Sequence, residues 1–232
     1  MNILITGASK GIGAELVKQF ASNPKNTVVA VSRNIELLDN LKKYCIDNYS
    51  NTIKVYVIDF LAEDFNKELE NVIANYKFDV VINNAGYLLN KPFTDYTQQE
   101  IQNTFKVNTY APIQICQQVI VNNNNHPCHI INIGSMGGYQ GSVKFPGLSI
   151  YSASKAALAN LTECLAEEYK ETNIKINCLA LGSVQTEMLN KAFPNYKAEL
   201  TPQQIAEYIV NFSINGKQYF NGKILPISKT TP

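Results

Sequence analysis

Short apolar segments alternate with longer amphipathic segments along the whole of this 232-residue sequence, and this alternation constrains the fold more than any other feature. The apolar segments have the length and the β-branched side chains of buried strands, whereas the segments between them have the apolar period of helices. The predicted strands are 2–5, 27–31, 53–58, 79–82, 128–133, 175–181 and 223–227, and the predicted helices are 11–22, 35–48, 63–76, 97–122, 152–171 and 201–213.

This order of elements predicts the α/β class, because successive parallel strands need crossover helices between them. We expect a Rossmann-type, doubly wound parallel sheet of about seven strands with helices on both faces and right-handed crossovers. No linker divides the sequence, so residues 1–232 are predicted to form a single domain.

Composition narrows the classes of partner. The chain is 45% hydrophobic and 17% charged with a net charge of +1, which gives no support for binding to nucleic acid. No apolar run is long enough for a membrane span and the first residues lack a signal sequence, so we expect no membrane association and a cytoplasmic location. The five cysteines are scattered without a C-x-x-C pair, and His126 and His129 have no second ligand cluster, so no metal site is expected.

A glycine-rich segment follows the first predicted strand and leads into a helix. Glycines permit a tight turn and a close approach of the backbone, while the N–H groups at the helix start attract a pyrophosphate. This arrangement predicts dinucleotide binding, with contacts from Gly7, Ser9, Lys10, Gly11, Ile12 and Gly13.

The end of the second strand indicates which dinucleotide is bound. A carboxylate at this place accepts hydrogen bonds from the adenosine ribose in NAD sites, whereas a basic residue accommodates a 2′-phosphate. Here Ser32 takes the place of the carboxylate, Arg33 follows it, and Lys10 offers a second positive charge nearby. We expect Ser32, Arg33 and Asn34 to contact a cofactor that is preferably NADP(H), with NAD(H) as the other possibility.

Tyr151 and Lys155 lie four residues apart at the start of an amphipathic helix. This spacing places both side chains on one helix face, so the ammonium can lie near the phenol. A nearby positive charge favours the phenolate and is expected to lower the pKa of Tyr151 towards the range of a general acid or base.

With these motifs in view, the sequence resembles the short-chain dehydrogenase/reductase family over nearly its whole length. The resemblance rests on five motifs in order: the glycine-rich segment, Asp59, the run Asn83 to Gly86, Asn108, and the set Ser135, Tyr151 and Lys155. It implies further cofactor contacts, in addition to those of Tyr151 and Lys155, from Asp59, Phe60, Asn84, Ala85, Gly86, Gly182, Val184 and Thr186.

The resemblance also implies catalytic roles for four residues. Ser135 would donate a hydrogen bond to the substrate carbonyl oxygen, and Tyr151 would exchange the proton with that oxygen. Lys155 would bias Tyr151 towards ionisation and hold the nicotinamide ribose, while Asn108 would anchor a water that links Lys155 to solvent. The hydride would belong to the cofactor.

The sequence departs from the family pattern in two places. The segment 136–150 is longer than usual and offers Ser142 as an alternative serine, and Leu181 stands where the family usually has Pro. Residues 187–200 are expected to form a short substrate lid, which favours a small substrate. The predicted substrate contacts are Met136, Met188, Leu189 and Phe193.

Three functions stay open at this point. The first is an NADPH-dependent ketone or aldehyde reductase that resembles the ketoacyl reductases, and the second is an NAD(P)-dependent alcohol, sugar or polyol dehydrogenase. The third is a non-catalytic NADP(H)-sensing protein, against which the complete catalytic set argues. Apolar residues on helices 97–122 and 152–171 exceed one sheet-facing stripe, so we expect a homodimer or homotetramer.

Overall fold

The computed structural model describes residues 1–229, and seven strands and eight α-helices alternate through them. The strands are β1 (Asn2–Thr6), β2 (Thr27–Ser32), β3 (Lys54–Val57), β4 (Val80–Asn83), β5 (Cys128–Ser135), β6 (Ile174–Leu181) and β7 (Ile224–Ile227). The helices are α1 (Gly11–Ala21), α2 (Ile35–Tyr49), α3 (Phe65–Ile73), α4 (Gln98–Phe105), α5 (Ala111–Asn123), α6 (Ser149–Glu168), α7 (Glu187–Ala192) and α8 (Pro202–Asn215).

All seven strands form one parallel sheet in the order β3-β2-β1-β4-β5-β6-β7. The predicted α/β fold with a doubly wound parallel sheet is therefore confirmed. The chain builds outward from β1 to β3 and then crosses back to place β4 on the other side of β1. The helices that follow β1 and β4 therefore lie on opposite faces of the sheet, which leaves a crevice at the carboxyl ends of these strands.

Two separate cores lie on the two faces of the sheet. Leu16 of α1, Leu38 of α2 and Ile209 of α8 are fully buried on one face, while Leu69 of α3 and Ile115 of α5 are buried on the other. Because helices cover both faces, the central strands have no solvent side and their sequences are continuously apolar. No helix within residues 1–229 is long and apolar enough to cross a membrane.

The predicted helix 97–122 is interrupted. Thr97 caps α4 through the Glu100 backbone, and the chain then passes through a π-helical segment, Lys106–Tyr110, before α5 begins. Pro112 explains the change, because it has no N–H with which to make the α-helical hydrogen bond to the carbonyl four residues earlier. That carbonyl belongs to Asn108, one of the predicted site residues.

Two boundaries matter for the site. Helix α6 begins at Ser149, three residues before the predicted start, so Tyr151 lies within its first turn. Strand β5 continues through Ser135, which is therefore the last strand residue and not the first loop residue. The short helix α7 lies in the predicted lid, where no helix was expected.

Strand β7 is the last strand on one side of the sheet formed by residues 1–229. The carbonyls of Lys223 and Ile227 accept hydrogen bonds from β6 and from Gly182 just beyond it. Because backbone groups alternate in direction along a strand, the nitrogen of Pro226 points away from β6. Pro226 is exposed at this edge.

Candidate active site

The glycine turn after β1 packs against the end of β4. Gly7 has a φ of +63°, and a Cβ on it would lie 2.8 Å from the Cα of Ala85. A Cβ on Gly13 would overlap the carbonyl oxygen of Gly7. The Asn84 side chain fixes the turn, since its Nδ2 donates to the carbonyls of Thr6 at 3.0 Å and Gly7 at 3.2 Å. Close backbone packing therefore explains why glycines occupy these two positions.

The turn presents the start of α1 to the crevice. Helix α1 begins at Gly11, and no side chain caps its first N–H groups. These groups and the positive end of the helix dipole form a site suited to an anion such as a pyrophosphate. The residues from Gly7 to Gly13 thus fit the phosphate portion of a dinucleotide.

The end of β2 meets the glycine turn through two serines. The hydroxyl oxygens of Ser9 and Ser32 lie 2.7 Å apart. Arg33 is exposed and makes no hydrogen bond or ion pair with any residue in the range 1–229, whereas the Asn34 side chain caps α2 by accepting from Leu37 N at 2.9 Å. Arg33, the single arginine of the sequence, is therefore available to an outside anion, and the Asn34 carbonyl oxygen is engaged.

Lys10 points towards the lid. Its Nζ lies 2.8 Å from Oε2 of Glu187, the first residue of α7, and Lys191 approaches the other carboxylate oxygen at 3.1 Å. The two ammonium groups lower the pKa of the Glu187 carboxyl. The second positive charge expected at the adenosine end is thus already paired with a side chain of the protein.

Asp59 and Phe60 follow β3, and both have structural contacts. The Asp59 carboxylate accepts a hydrogen bond from Leu61 N at 3.0 Å. Phe60 is buried and meets Phe65 of α3 edge-to-face, with 5.5 Å between ring centroids. The Phe60 ring therefore belongs to the core, and a cofactor contact at this residue would have to use its backbone.

Glycines also bring Ser135 to the first turn of α6. A Cβ on Gly137 would lie 2.8 Å from Oγ of Ser152, and one on Gly138 would lie 2.6 Å from the backbone nitrogen of Ala156. The turn after β5 can pack this closely on α6 only because both positions lack a side chain. The sequence analysis did not single out these two glycines, although their adjacency after Ser135 was a signal.

Lys155 is almost completely buried beneath Tyr151. It is 3% exposed, its Nζ donates to the carbonyl of Ile133 at 2.8 Å, and this Nζ lies 6.0 Å from the centroid of the Tyr151 ring. Burial lowers the pKa of Lys155 to about 8, and the nearby Cys178 acts weakly in the opposite direction. An amine so placed exchanges its proton close to neutral pH.

The pKa of Tyr151 is raised, not lowered. Burial penalises the phenolate, and interaction with the Ser135 side chain offsets only part of this effect. The expectation that Lys155 lowers the pKa of Tyr151 is therefore wrong for the protein chain by itself. The physical reason is desolvation, which here exceeds any attraction from an ammonium beside the ring.

The Asn108 side chain links the loop after β4 to helix α6 through hydrogen bonds. Its Oδ1 accepts from Tyr87 N at 2.7 Å, and its Nδ2 donates to the carbonyl of Tyr87 at 2.8 Å and to Oγ of Ser154 at 2.9 Å. Both amide hydrogens are therefore used within the fold, and the side chain cannot also donate to a water. Ser154 and Tyr87, which hold Asn108, were not singled out from the sequence.

The alternative serine, Ser142, has a different setting. Its hydroxyl contacts the carbonyls of Met136 and Tyr139 and receives a hydrogen bond from Lys144 Nζ at 3.0 Å. These contacts hold the long 136–150 segment in shape. Ser135 is the serine whose side chain affects the pKa of Tyr151, and this favours it over Ser142.

The predicted lid segment contacts the chain that follows β4. The Cε of Met188 is 3.6 Å from the place that a Cβ on Gly86 would occupy, and Asn90 Nδ2 donates to the carbonyl of Ala192 at 2.8 Å. Leu189 and Phe193 are half-buried. Met188 of the predicted lid thus lies beside Gly86, and Ala192 is held by Asn90.

Two predicted cofactor contacts between β6 and the lid, Thr186 and Val184, also have contacts within the protein. The Thr186 hydroxyl caps α7 by accepting from Leu189 N at 3.2 Å, and Val184 is buried beside Leu200. Leu181 is a buried strand residue that pairs with both neighbouring strands. Gly182 N donates to the carbonyl of Ile227 at 2.9 Å, which holds the segment in place without the proline.

The cysteines and histidines have structural surroundings. Four cysteines are buried, and Cys164 is exposed on α6. His129 of β5 is buried, with Nδ1 3.0 Å from the carbonyl of Ser213 and Nε2 3.0 Å from Nδ2 of Asn177, and burial lowers its pKa to about 4. Within residues 1–229, no three His, Cys, Asp or Glu side chains are grouped to hold a metal ion.

Comparison with known proteins agrees with this geometry. Residues 1–197 match the family described as short chain dehydrogenase. The chain is 26% identical to 3-oxoacyl-[acyl-carrier-protein] reductase FabG of Chlamydia trachomatis over 97% of this chain and 94% of that protein. It is 30% identical to an uncharacterized oxidoreductase of Staphylococcus aureus over 89% of this chain and 88% of that protein.

A solved structure extends the likeness to three dimensions. A crystal structure described as a short chain dehydrogenase of Escherichia coli complexed with NADPH has a TM-score of 0.86 and 26% sequence identity, covering 97% of this chain and 95% of that one. The family match spans most of the sequence, including the glycine turn and the Ser135, Tyr151 and Lys155 set. The chain therefore belongs to the short-chain dehydrogenase/reductase family, whose members are oxidoreductases that act on hydroxyl and keto groups with a nicotinamide cofactor.

Proposed function

We propose that this protein is an NADPH-dependent reductase that converts a small ketone or aldehyde, including a 3-oxoacyl group, to its alcohol. The observation that carries the proposal is the convergence of Ser135, Tyr151 and the buried Lys155 at the carboxyl end of the sheet, where the glycine turn also lies. The 26% identity to a 3-oxoacyl reductase over 97% of the chain supports the substrate class.

The protein's own groups would act on the carbonyl oxygen. The bound nicotinamide supplies the hydride to the carbonyl carbon. Ser135 Oγ donates a hydrogen bond to the oxygen as negative charge develops, and Tyr151 transfers its hydroxyl proton to that oxygen, which completes the alcohol. Because burial raises the pKa of Tyr151, the phenol keeps its proton at neutral pH, which is the form that reduction needs.

Lys155 would restore the proton and bind the cofactor's ribose. Its pKa of about 8 means that the ammonium and the amine are both accessible near neutral pH. Its Nζ lies 6.0 Å from the centroid of the Tyr151 ring. Asn108 would then serve as a positioning residue that holds Ser154 and α6 in register with the loop after β4.

Preference for NADPH over NADH is the second part of the proposal. Ser32 carries no charge to repel a 2′-phosphate, and Arg33 offers an exposed planar donor pair beside it. A guanidinium with no other partner among residues 1–229 loses little by binding a phosphate. Reversible oxidation of an alcohol, sugar or polyol by the same groups stays the alternative direction.

The test is a substrate screen with both cofactors in both directions. We expect NADPH consumption with an acetoacetyl thioester or with small ketones and aldehydes, and slower NADPH formation from the matching alcohols. Turnover confined to sugars or polyols with NAD would favour the dehydrogenase. Tight cofactor binding without turnover of any carbonyl compound or alcohol would indicate a sensor.

Self-association and location belong to the same proposal. Ile115, Val119 and Leu158 are buried within the chain, so fewer apolar residues are left for an interface than the sequence suggested. Ile101, Phe105, Ile113 and Ile120 stay partly exposed, and we propose that they contribute to a homodimer or homotetramer of the 25.9 kDa chain. Light scattering at micromolar concentration would contradict this if it gave the monomer mass, and cell fractionation would test the expected cytoplasmic location.

A further inference from the structure

An ion pair joins the glycine turn to the lid across the mouth of the crevice. Lys10 Nζ lies 2.8 Å from Glu187 Oε2, and the two side chains are 53% and 50% exposed. Lys191 holds the other carboxylate oxygen at 3.1 Å. The pair connects residues that are 177 positions apart, so it fixes the start of α7 to the start of α1.

The pair lies beside the group of residues proposed to bind the 2′-phosphate. Lys10 directly follows Ser9, whose hydroxyl oxygen is 2.7 Å from that of Ser32. Arg33 directly follows Ser32. The backbone nitrogen of Ala8 also donates to the carbonyl of Val31 at 3.1 Å. These contacts bring the turn and the end of β2 together, so Lys10 and Arg33 are carried by two adjoining segments.

Glu187 is held near the glycine turn by the backbone around it. The preceding Thr186 lies against the glycine turn, since its methyl carbon is 3.3 Å from the place that a Cβ on Gly11 would occupy. Its hydroxyl also caps α7. Thr186 therefore keeps the backbone of Glu187 beside the glycine turn.

We propose that Glu187 limits the preference of this enzyme for NADPH by competing with the 2′-phosphate of the cofactor for Lys10; the inference rests on the proposed NADP(H) site. An ammonium paired with a carboxylate attracts a phosphate less strongly, and a carboxylate beside a phosphate dianion repels it. NADH lacks the 2′-phosphate, so Glu187 should affect its binding much less. Glu187 is thus a residue that determines specificity.

Exposure sets the size of the effect. The ion pair is half-exposed, so solvent and salt screen the competition, and the change in affinity is expected to be a modest factor. We expect Glu187→Gln to tighten NADPH binding by about 3- to 10-fold and to change NADH binding by less than about 2-fold. The gain should shrink between about 0.02 M and about 0.3 M salt, since the Debye length falls over this range.

The experiment is a fluorescence titration of the full chain with NADPH and with NADH, in which the ratio of the two dissociation constants is compared between variants. Glu167→Gln is the matched control, because Glu167 forms a similar exposed pair with Lys170 at the far end of α6. It should leave the ratio unchanged. In a Lys10→Met background, Glu187→Gln should no longer change the ratio, because the residue through which it acts is absent.

Three results would overturn the inference. The first is a shift of both dissociation constants by the same factor in Glu187→Gln, which would indicate a role in closing the lid. The second is no change in either constant, and the third is an effect of Glu187→Gln that persists without Lys10. The measured quantity is the change, between variants, in the ratio of the NADPH and NADH dissociation constants. Equal affinity of the unmodified protein for the two cofactors would therefore contradict the proposed preference but leave this test valid.

Discussion

The two ends of the crevice handle positive charge in opposite ways. At the cofactor end, Arg33 and Lys10 lie in solvent, where an ionised side chain costs little. At the catalytic end, Lys155 is 3% exposed and its pKa falls to about 8. The comparison teaches that the exposed charges can adjust affinity cheaply, whereas the buried charge is maintained against a penalty in stability, which its proposed role in proton transfer would explain.

This difference predicts different responses to substitution. Changes at the buried end should alter the rate and the free energy of unfolding, with little dependence on salt. Changes at the exposed end should alter cofactor affinity, and their effect should weaken as salt increases. Each of the following predictions tests one side of this contrast.

The largest effect is expected from Tyr151→Phe at the buried end. The change removes one hydroxyl, so folding and cofactor binding should be retained, whereas turnover should fall by about two to four orders of magnitude, as is typical of a positioned proton donor. Steady-state kinetics with a carbonyl compound from the screen measures this. Tyr219→Phe is the control, because Tyr219 is 76% exposed and outside the site. Undiminished turnover in Tyr151→Phe would show that Tyr151 is not the acid.

Lys155→Met should separate activity from stability. Turnover and cofactor affinity should fall. The free energy of unfolding at pH 7 should nevertheless be higher by about 2 to 3 kcal/mol, because the variant has no buried amine to ionise. The lost hydrogen bond to the Ile133 carbonyl offsets part of this gain. Urea denaturation measures the difference.

The pH dependence of that difference has a definite sign. The folded pKa of Lys155 is about 8, below its ordinary value, so the folded state binds fewer protons than the unfolded state between about pH 8 and about pH 10.5. The penalty from Lys155 is therefore complete below pH 8 and disappears as pH rises through this window. The advantage of Lys155→Met should shrink accordingly, and a constant advantage up to pH 10 would contradict the assignment.

His129 is a second buried titratable residue, outside the proposed active site, whose contribution to stability can be compared with that of Lys155. Its folded pKa of about 4 also lies below the ordinary value, so its contribution to stability is complete above about pH 6.5 and is lost as pH falls through 4. We expect this residue to account for about 3 kcal/mol of the stability lost between pH 7 and pH 4. Urea midpoints of His129→Gln should fall less steeply over this range, whereas equal slopes would defeat the prediction.

Arg33→Ala tests the exposed end. NADPH binding should weaken by about 1.5 to 3 kcal/mol with little change for NADH, because a charge-assisted hydrogen bond to the 2′-phosphate is lost. The loss should be smaller at high salt. Lys43→Ala, on the exposed side of α2, should leave both affinities unchanged. Equal dissociation constants of the two cofactors for the unmodified protein would refute the preference itself.

The sequence predicts the parts of this molecule that local pattern determines. Continuous apolar strands and amphipathic helices follow from burial on both faces of the sheet, and the glycine turn follows from backbone packing at Gly7 and Gly13. The positions of Ser135 and Tyr151 also follow, since each lies at the end of a recognisable element.

The remaining features depend on contacts between distant segments. Nothing near Lys10 in the sequence indicates that Glu187 will pair with it, and the clamp of Asn108 on Tyr87 and Ser154 depends on a π-helical segment that periodicity does not reveal. The predicted direction of the Tyr151 pKa shift is wrong because the i, i+4 spacing indicates that Lys155 is near but does not indicate that Tyr151 is buried. Phe60 stays a predicted cofactor contact, but the sequence does not indicate that its ring packs on Phe65.

The proline at the sheet edge has a consequence for solubility and for assembly. A strand with unsatisfied outward N–H groups is a template on which another chain can add, and such growth leads towards aggregates. With the nitrogen of Pro226 facing outward, β7 lacks one of the donors that an incoming strand would need. Copies of this protein are therefore discouraged from joining edge to edge through β7, and an oligomer that uses this side of the sheet should be built from helix faces or side chains.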